Sequence, residues 1–349
     1  MEETVLITGG AGYIASHVIV ELLENNYTVI ALDNLRHYYS VNQSEKPECI
    51  KRIEQLTGKV VPFYKADISD QSALRNIFKL HKIDVVIHMA ALTDVSESIK
   101  TPLTYYSNNV VSSITLFEVM KDFNIKKLIF SSSSNVFGTP QVLPVSEDHL
   151  TGIRCTNPYG RSKFFVEEIL RNVCESDENW QVVVLRYFNP AGAHKSGLIG
   201  QNPFGVPNNL IPCIMQVAEG QKERVTVYGS DYDTKDGTCS KDFTHITDIA
   251  TGHVKALEKL KKLCAENWVA YNLGTGQGYT ILEVIEVFSK TINRKIPYEI
   301  VNRRKGDLGN IFADITKAKR ELNWMPTKTI VDICTDAWKW HSQNRKSNK

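Results

Sequence analysis

The sequence predicts an α/β protein: a doubly wound parallel sheet followed by a smaller α/β domain. Three observations predict it. A short apolar run, Val5-Leu6-Ile7, meets a glycine-rich turn, a helical pattern over 16–24, and a second apolar run over 28–32 that ends in Asp33. Continuous apolar runs go on alternating with helical patterns to about residue 186, as in parallel sheets covered by helices on both faces. Past that point the composition shifts to Gly, Pro and Asn. We therefore place one domain over 1–186 and a second over 187–349, with excursions of the second back onto the first.

Composition narrows the function classes. The 349 residues are 42% hydrophobic and 23% charged, as in an ordinary soluble globular protein. A formal net charge of +2 gives no reason to expect nucleic acid or an anionic membrane as partner. The basic tail from Arg345 reads as a solvated end. Seven cysteines are scattered with no C-x-x-C pair, which reads as the reduced thiols of a cytoplasmic protein and not as disulfides or a metal site. Met1-Glu2-Glu3-Thr4 runs into the first strand with no basic leader, and no apolar stretch is long enough for a membrane span.

In the first domain, Gly9, Gly12 and Ala15 give the spacing Gly-x-x-Gly-x-x-Ala between the first strand and helix. A tight turn there brings backbone against a pyrophosphate at a helix N-terminus. Asp33, 21 residues past Gly12, accepts from adenosine ribose hydroxyls and repels a ribose phosphate, so this Rossmann-type unit is expected to take NAD over NADP. The next runs are 60–64 into Asp67-Ile68, a helix over 71–80, a strand over 84–88, a helix over 102–122 and a strand over 127–130. Ligands in such folds lie outside the carboxyl ends of the strands. Asp67 and Ile68 are thus expected at the adenine side, Met89, Ala90 and Ala91 at the nicotinamide half, and Ser131 to Ser134 at the reacting centre.

Asn157-Pro158-Tyr159-Gly160-Arg161-Ser162-Lys163 then opens a helix, with Asn157 as N-cap and Pro158 at the first helical position. Tyr159 and Lys163, four apart, share a helix face. The ammonium and the helix dipole are expected to favour phenolate and lower the Tyr159 pKa, one unit of which takes roughly 1.4 kcal/mol. A base and its activator result.

In the second domain, the strand over 182–186 runs into Tyr187-Phe188-Asn189-Pro190, and Gly205-Val206-Pro207-Asn208-Asn209-Leu210 opens a helix. Its amides and N–H groups either hold a diphosphate or uridine, or simply cap the helix. In Arg303-Arg304-Lys305-Gly306-Asp307, Arg304 offers a planar fork to phosphate and Asp307 an acceptor to ribose. Asp314 is expected to cap a helix over 315–322, and the pattern from Ile330 to Trp338 reads as a final core-facing helix.

Thr8-Gly9-Gly10-Ala11-Gly12-Tyr13-Ile14, the run from Ser131 to Gly138, and Asn157-Pro158-Tyr159-Gly160-x-Ser162-Lys163 resemble the extended short-chain dehydrogenase/reductases, and among them the UDP-galactose 4-epimerases. Asp231-Tyr232-Asp233-Thr234, Lys241-Asp242-Phe243-x-His245 and Tyr271-Asn272-Leu273-Gly274-Thr275-Gly276 extend the resemblance end to end. It implies Ser133, Tyr159 and Lys163 as the catalytic set, with Tyr159 as acid and base and Lys163 also on the nicotinamide ribose. It implies a bound, regenerated NAD held by Gly9, Gly12, Tyr13, Ile14, Asp33, Asn34, Asp67, Ile68, Met89, Ala90, Thr93, Asn109 and Tyr187. For a UDP-hexose it implies Ser133, Ser134, Asn135, Tyr187, Phe188, Asn189, Asn208, Asn209, Leu210, Thr226, Val227, Tyr228, Lys241, Arg304, Asp307 and Ile311. The implied reaction is 4-epimerisation of UDP-galactose to UDP-glucose, or of the N-acetylated pair, by a homodimer joined through the helices over 102–122 and 159–174.

The chain departs from the family at several places. Thr93 stands where a Lys is usual, Ala91 and Ser96 where Gly is usual, and Asn135 and Phe137 where Thr and Tyr are usual. Lys241 replaces an Arg at the diphosphate, His37 an Asn near the adenosine ribose, and Ala15 a Gly. Ile311, at the position that sets room for the sugar 2-substituent, is intermediate in size. Dehydratase relatives carry Asp-Glu where Ser134 and Asn135 stand, and neither residue can do that proton chemistry. A UDP-pentose or UDP-uronate 4-epimerase stays open, as does a non-catalytic NAD-binding regulator, although the latter would not be expected to keep Ser133, Tyr159 and Lys163.

Overall fold

In the computed structural model, the structure describes residues 3–36, 46–202, 207–263, 267–304 and 306–344. Expectations for Met1, Glu2, His37, Gly205, Val206, Cys264, Lys305 and 345–349 lie outside the described residues. The chain begins β1 (Thr4–Thr8), α1 (Tyr13–Glu24), β2 (Thr28–Asp33), α2 (Glu48–Thr57), β3 (Phe63–Lys65), α3 (Gln71–Leu80) and β4 (Val85–His88). It continues through α4 (Val95–Lys100), α5 (Pro102–Tyr106), α6 (Ser112–Asp122), β5 (Lys127–Ser133), α7 (Pro158–Ser176) and β6 (Gln181–Tyr187). Then follow β7 (Pro190–Ala191), α8 (Leu210–Ala218), β8 (Val225–Tyr228), β9 (Ser240–Lys241), β10 (Thr244–His245), α9 (Ile246–Leu260), β11 (Trp268–Leu273) and β12 (Tyr279–Thr280). The rest is α10 (Ile281–Thr291), β13 (Tyr298–Val301), β14 (Asn310–Ile311), α11 (Thr316–Leu322) and α12 (Ile330–Asn344).

Seven strands form one sheet in the order β11-β6-β5-β4-β1-β2-β3, and every pairing in it is parallel. The winding direction reverses at β1, which has β2 on one side and β4 on the other. Open α/β sheets bind ligands in the crevice at such a switch point. One sheet face is covered by α1, α2 and α9, where Val18, Leu22, Ile53 and Leu257 are fully buried. The other is covered by α3, α6 and α7 through Leu74, Leu116, Val166 and Leu170. A separate apolar cluster joins α8, α10 and α12 through Ile214, Phe288 and Ile333.

α9 lies against α1, and β11 pairs with β6 from Trp268 opposite Val182 to Leu273 opposite Tyr187. The second segment thus returns to complete the first sheet. The Asp242 carboxylate, fully buried, ties this return to the outer lobe by accepting from the backbone N–H groups of Thr275, Gly276 and Ala313 and from the Thr275 hydroxyl.

The helix expected over 102–122 is interrupted by a π turn at Ser107–Val111. Asn109 explains the break. Its buried amide donates to the Leu92 carbonyl at 2.9 Å, accepts from the Leu92 N–H at 2.8 Å, and donates to the Ser162 hydroxyl at 2.9 Å. A widened turn re-aims side chains that a regular helix would point elsewhere, and here it anchors the loop after β4.

Candidate active site

A cleft of about 2310 Å³ runs across the carboxyl ends of β1, β2, β4 and β5 and on between the sheet and the outer lobe. Gly9, Gly12, Tyr13, Ile14, Asp33, Asn34, Asp67, Ile68, Met89, Ala90 and Thr93 all line it. Gly9 has φ +70°, and a Cβ there would come within 2.8 Å of the Ala90 nitrogen, so only glycine fits. α1 starts at Gly12 without a side-chain cap, leaving its first N–H groups directed at the cleft, where an anion is favoured. Asp33 accepts from the Ala11 N–H at 3.1 Å and the Leu35 N–H at 2.7 Å. Asn34 donates to Asp67 at 2.7 Å. Burial pushes the Asp67 carboxyl up, but bonds from Asn34 and Ser69 outweigh it and hold Asp67 below the usual range. A tight glycine turn, an uncapped helix start and two acidic side chains at the strand ends fit a dinucleotide.

The reacting groups converge at the end of β5. Asn157 caps α7 by accepting from the Gly160 N–H at 2.8 Å, which sets Tyr159 and Lys163 over β5 from the first turn. Tyr159 packs against Leu92, Val95 and Tyr105, and the Ser133 hydroxyl lies near enough to its phenol to favour the ionised form. Ser133 also accepts from the Asn135 N–H at 3.2 Å and its amide at 3.0 Å. The Lys163 ammonium donates to the Ser131 carbonyl at 2.8 Å and lies 4.9 Å from the Phe130 ring centroid.

The expected lowering of the Tyr159 pKa is not what the protein alone produces. Burial pushes the phenol up, and the nearby Ser133 hydroxyl only partly opposes it. Burial likewise lowers Lys163 to about 7, against an upward pull from Glu167. Desolvation disfavours both charged forms in a closed site and outweighs the ammonium and the helix dipole.

Behind these residues lies a buried ion pair that the motif reading missed. Glu167 binds Arg186 through two contacts, at 2.7 and 3.2 Å, and accepts from the Ser132 hydroxyl. The signal was available: Tyr159, Lys163 and Glu167 follow at intervals of four and lie on one stripe of α7.

On the outer-lobe side, Ser134, Asn135, Asn189, Asn208, Asn209, Leu210, Thr226, Val227, Tyr228, Lys241, Arg304 and Asp307 line the same cleft. Arg304 and Asp307 bind each other fork to carboxylate, at 2.9 and 3.1 Å, and the guanidinium sits 5.2 Å from the Tyr228 ring centroid. Lys241 donates to the Leu308 carbonyl at 2.9 Å. Asn208 donates to Asp94, a cleft residue that the sequence reading did not single out.

Three expected ligand residues stand off the cleft wall. Asn109 is consumed by Leu92 and Ser162. Phe188 points away from its neighbour Tyr187, as alternating side chains do, and stacks 6.2 Å from Phe137. Ile311, which pairs in register with Lys241, is buried in the core. Tyr187 edges the cleft, but its hydroxyl is turned inward to Ser131 at 2.6 Å and His253 at 2.7 Å. Among the described residues, no group of three or more His, Cys, Asp or Glu side chains is placed to hold a metal ion.

The model of the GDP-mannose 4,6 dehydratase family matches residues 6–337. A UDP-glucose 4-epimerase of Drosophila melanogaster is 50% identical over 341 residues, 98% of this chain and 97% of that protein. The crystal structure of UDP-glucose 4-epimerase from Bifidobacterium longum in complex with NAD+ and UDP is 46% identical, with a TM-score of 0.92 over 98% of each chain. That of a UDP-glucose 4-epimerase from Stenotrophomonas maltophila, with bound NAD and formylated UDP-arabinopyranose, is 41% identical, with a TM-score of 0.92 over 99% of this chain and 100% of that one.

Proposed function

The chain belongs to the UDP-glucose 4-epimerases, within the extended short-chain dehydrogenase/reductases, and from that premise we propose how its own residues carry out NAD-dependent 4-epimerisation of UDP-hexoses. The observation that carries the assignment of roles is the convergence of Ser133, Tyr159 and Lys163 at the floor of the cleft. NAD, when bound along Gly9, Gly12, Asp33 and Asp67, supplies a hydride acceptor at C4 and returns that hydride, so no net oxidation results. Tyr159 takes the proton of the 4-hydroxyl, and Ser133 hydrogen-bonds the same oxygen as it becomes a ketone. Lys163 holds positive charge behind the phenol and favours its ionised form during the transfer. Asn208, Asn209, Arg304 and Asp307 grip the UDP while the hexose is held by fewer contacts and turns over. Tyr159 then returns the proton to the oxygen of the inverted carbon.

In this reading 1–186 hold NAD and 187–349 hold the UDP-sugar. Elimination of water, as in a 4,6-dehydratase, would need an acid and a base where Ser134 and Asn135 stand. UDP-pentose is a second reading, favoured by the formylated UDP-arabinopyranose in the similar structure.

The deciding experiment incubates purified protein with UDP-galactose, UDP-N-acetylgalactosamine or UDP-arabinopyranose, without added NAD, and separates the products by chromatography. Conversion of UDP-galactose to UDP-glucose is expected, and the relative rates rank the substrates. No hexose conversion, with NAD added and UDP binding confirmed, would overturn the assignment.

We also propose a homodimer. Leu103, Val111, Ile114 and Phe165 leave an apolar strip exposed along α5, the π turn, α6 and α7. Light scattering at micromolar concentration should return twice the 39.4 kDa chain mass, and the monomer mass would count against it. No helix among the described residues is long and apolar enough to cross a membrane, and Cys155, Cys174, Cys213, Cys239 and Cys334 are free thiols. Both suit a cytoplasmic setting, which cell fractionation would check.

A further inference from the structure

The reaction above uses Ser133, Tyr159 and Lys163, yet the side chains that hold them lead to Glu167. It lies one turn beyond Lys163 on the same face of α7 and is 1% exposed. One carboxylate oxygen accepts from the hydroxyl of Ser132, the residue before Ser133, and from Arg186 Nε at 3.2 Å. The other accepts from Arg186 Nη2 at 2.7 Å. Arg186, at the end of β6, is fixed in turn by the Glu147 carbonyl at 3.0 Å and by the Phe137 ring, whose centroid is 5.0 Å away. A buried ion pair contributes little to stability compared with apolar side chains of the same volume, so its position beside the reacting groups asks for another explanation.

We propose that Glu167, clamped by Arg186, is a positioning residue: it draws in Ser132 and so fixes the end of β5 that carries Ser133, and it sets a negative charge one helix turn from Lys163. This rests on the reading that Lys163 acts as a cation. The groups that act on that ammonium are Glu167 on its own helix and His88 at the end of β4, with Tyr159 one turn before it on α7, Arg186 of β6 bound to Glu167, and Tyr187 of β6 bound to Ser131 and to His253 of α9. From β5 the Ser131 carbonyl and the Phe130 ring face it. Glu167 is the one carboxylate in this set, and its effect on Lys163 opposes that of burial.

The test measures kcat against pH, UDP affinity and melting temperature for holoenzyme carrying Glu167→Gln, Arg186→Met, or both. Glu167→Gln should leave UDP affinity within threefold while moving the alkaline limb of kcat down by about one pH unit, about tenfold slower at pH 8 and much less affected at pH 6. The double variant buries no unpaired charge. It should melt near the wild type and still keep the displaced limb, and it supplies the readout if Glu167→Gln alone fails to fold. A double variant with the wild-type limb would reduce the pair to a structural role and overturn the proposal. Full activity in Lys163→Met would instead overturn the reading beneath it, and this inference with it.

Discussion

Tyr159→Phe should lower kcat by about 10³-fold, the middle of the range for a general acid–base group, or about 4 kcal/mol of barrier. The phenol stands beside Ser133 at the floor of the cleft, and phenylalanine has no oxygen to take or return the proton. The ring itself packs against Leu92, Val95 and Tyr105, contacts that phenylalanine keeps. Melting temperature and UDP affinity should therefore change little, and the loss should fall on kcat. Steady-state kinetics with UDP-galactose, together with UDP titration of the same variant, separate the two. A variant retaining a tenth or more of wild-type kcat would remove Tyr159 from the proton path.

The second large effect is on stability in mild acid. His17, His88 and His253 are buried, and burial lowers them to about 3, about 3 and about 4 from an ordinary 6.5. His88 is bracketed by the Thr8 and Ser113 hydroxyls at 2.7 and 2.8 Å. Hydroxyls can donate to one ring nitrogen and accept from the other, which suits the neutral ring. His253 lies between the Ile249 carbonyl at 2.9 Å and the Tyr187 hydroxyl at 2.7 Å.

The unfolded chain protonates these rings below pH 6.5 and the folded chain does not. Their contribution is therefore fully present above 6.5 and is lost as pH falls towards their folded values, at about 1.4 kcal/mol per ring per pH unit. Glu21 works the other way. Burial raises it to about 7, so its contribution grows as pH falls towards its unfolded value and offsets about one ring. A net loss of about 2 kcal/mol in the first unit below 6.5 is a sizeable part of a domain's usual 5–15 kcal/mol. Urea midpoints measured from pH 8 to 5 should fall most steeply below 6.5. A flat profile there would falsify the neutral-ring account.

The sheet was legible because its signals are local. The turn at Gly9, the apolar runs, and the cap at Asn157 with Pro158 each fix a few neighbouring residues. The expected cap at Asp314 is displaced: its carboxylate accepts from the Thr316 N–H at 2.8 Å, but the N-cap of α11 is Ile315, which has no side-chain cap. What could not be read depends on groups far apart in the chain. Nothing beside Asn109 announces that Leu92 will claim its amide. Nothing beside Arg304 says that its fork will rest on Asp307 and its plane near Tyr228. The Tyr159 pKa expectation failed for the same reason, since counting charges needs only spacing, whereas desolvation needs the whole packed site. The Glu167 and Arg186 pair was half legible. The helix period places Glu167 below Lys163, but only the pairing of β5 with β6 brings Arg186 to it.

The return of the chain to its first sheet also matters while the protein is being made. β6 ends at Tyr187, and its outer neighbour β11 starts at Trp268. At translation speeds of about 5–20 residues per second, β6 spends on the order of several seconds without that partner. Its segment Val182-Val183-Val184-Leu185 is entirely buried in the finished fold. During synthesis it is an unpaired apolar edge, the kind of surface that recruits other strands. The chain is thus most exposed to aggregation after most of its sheet has been made and before the strand that seals it has left the ribosome.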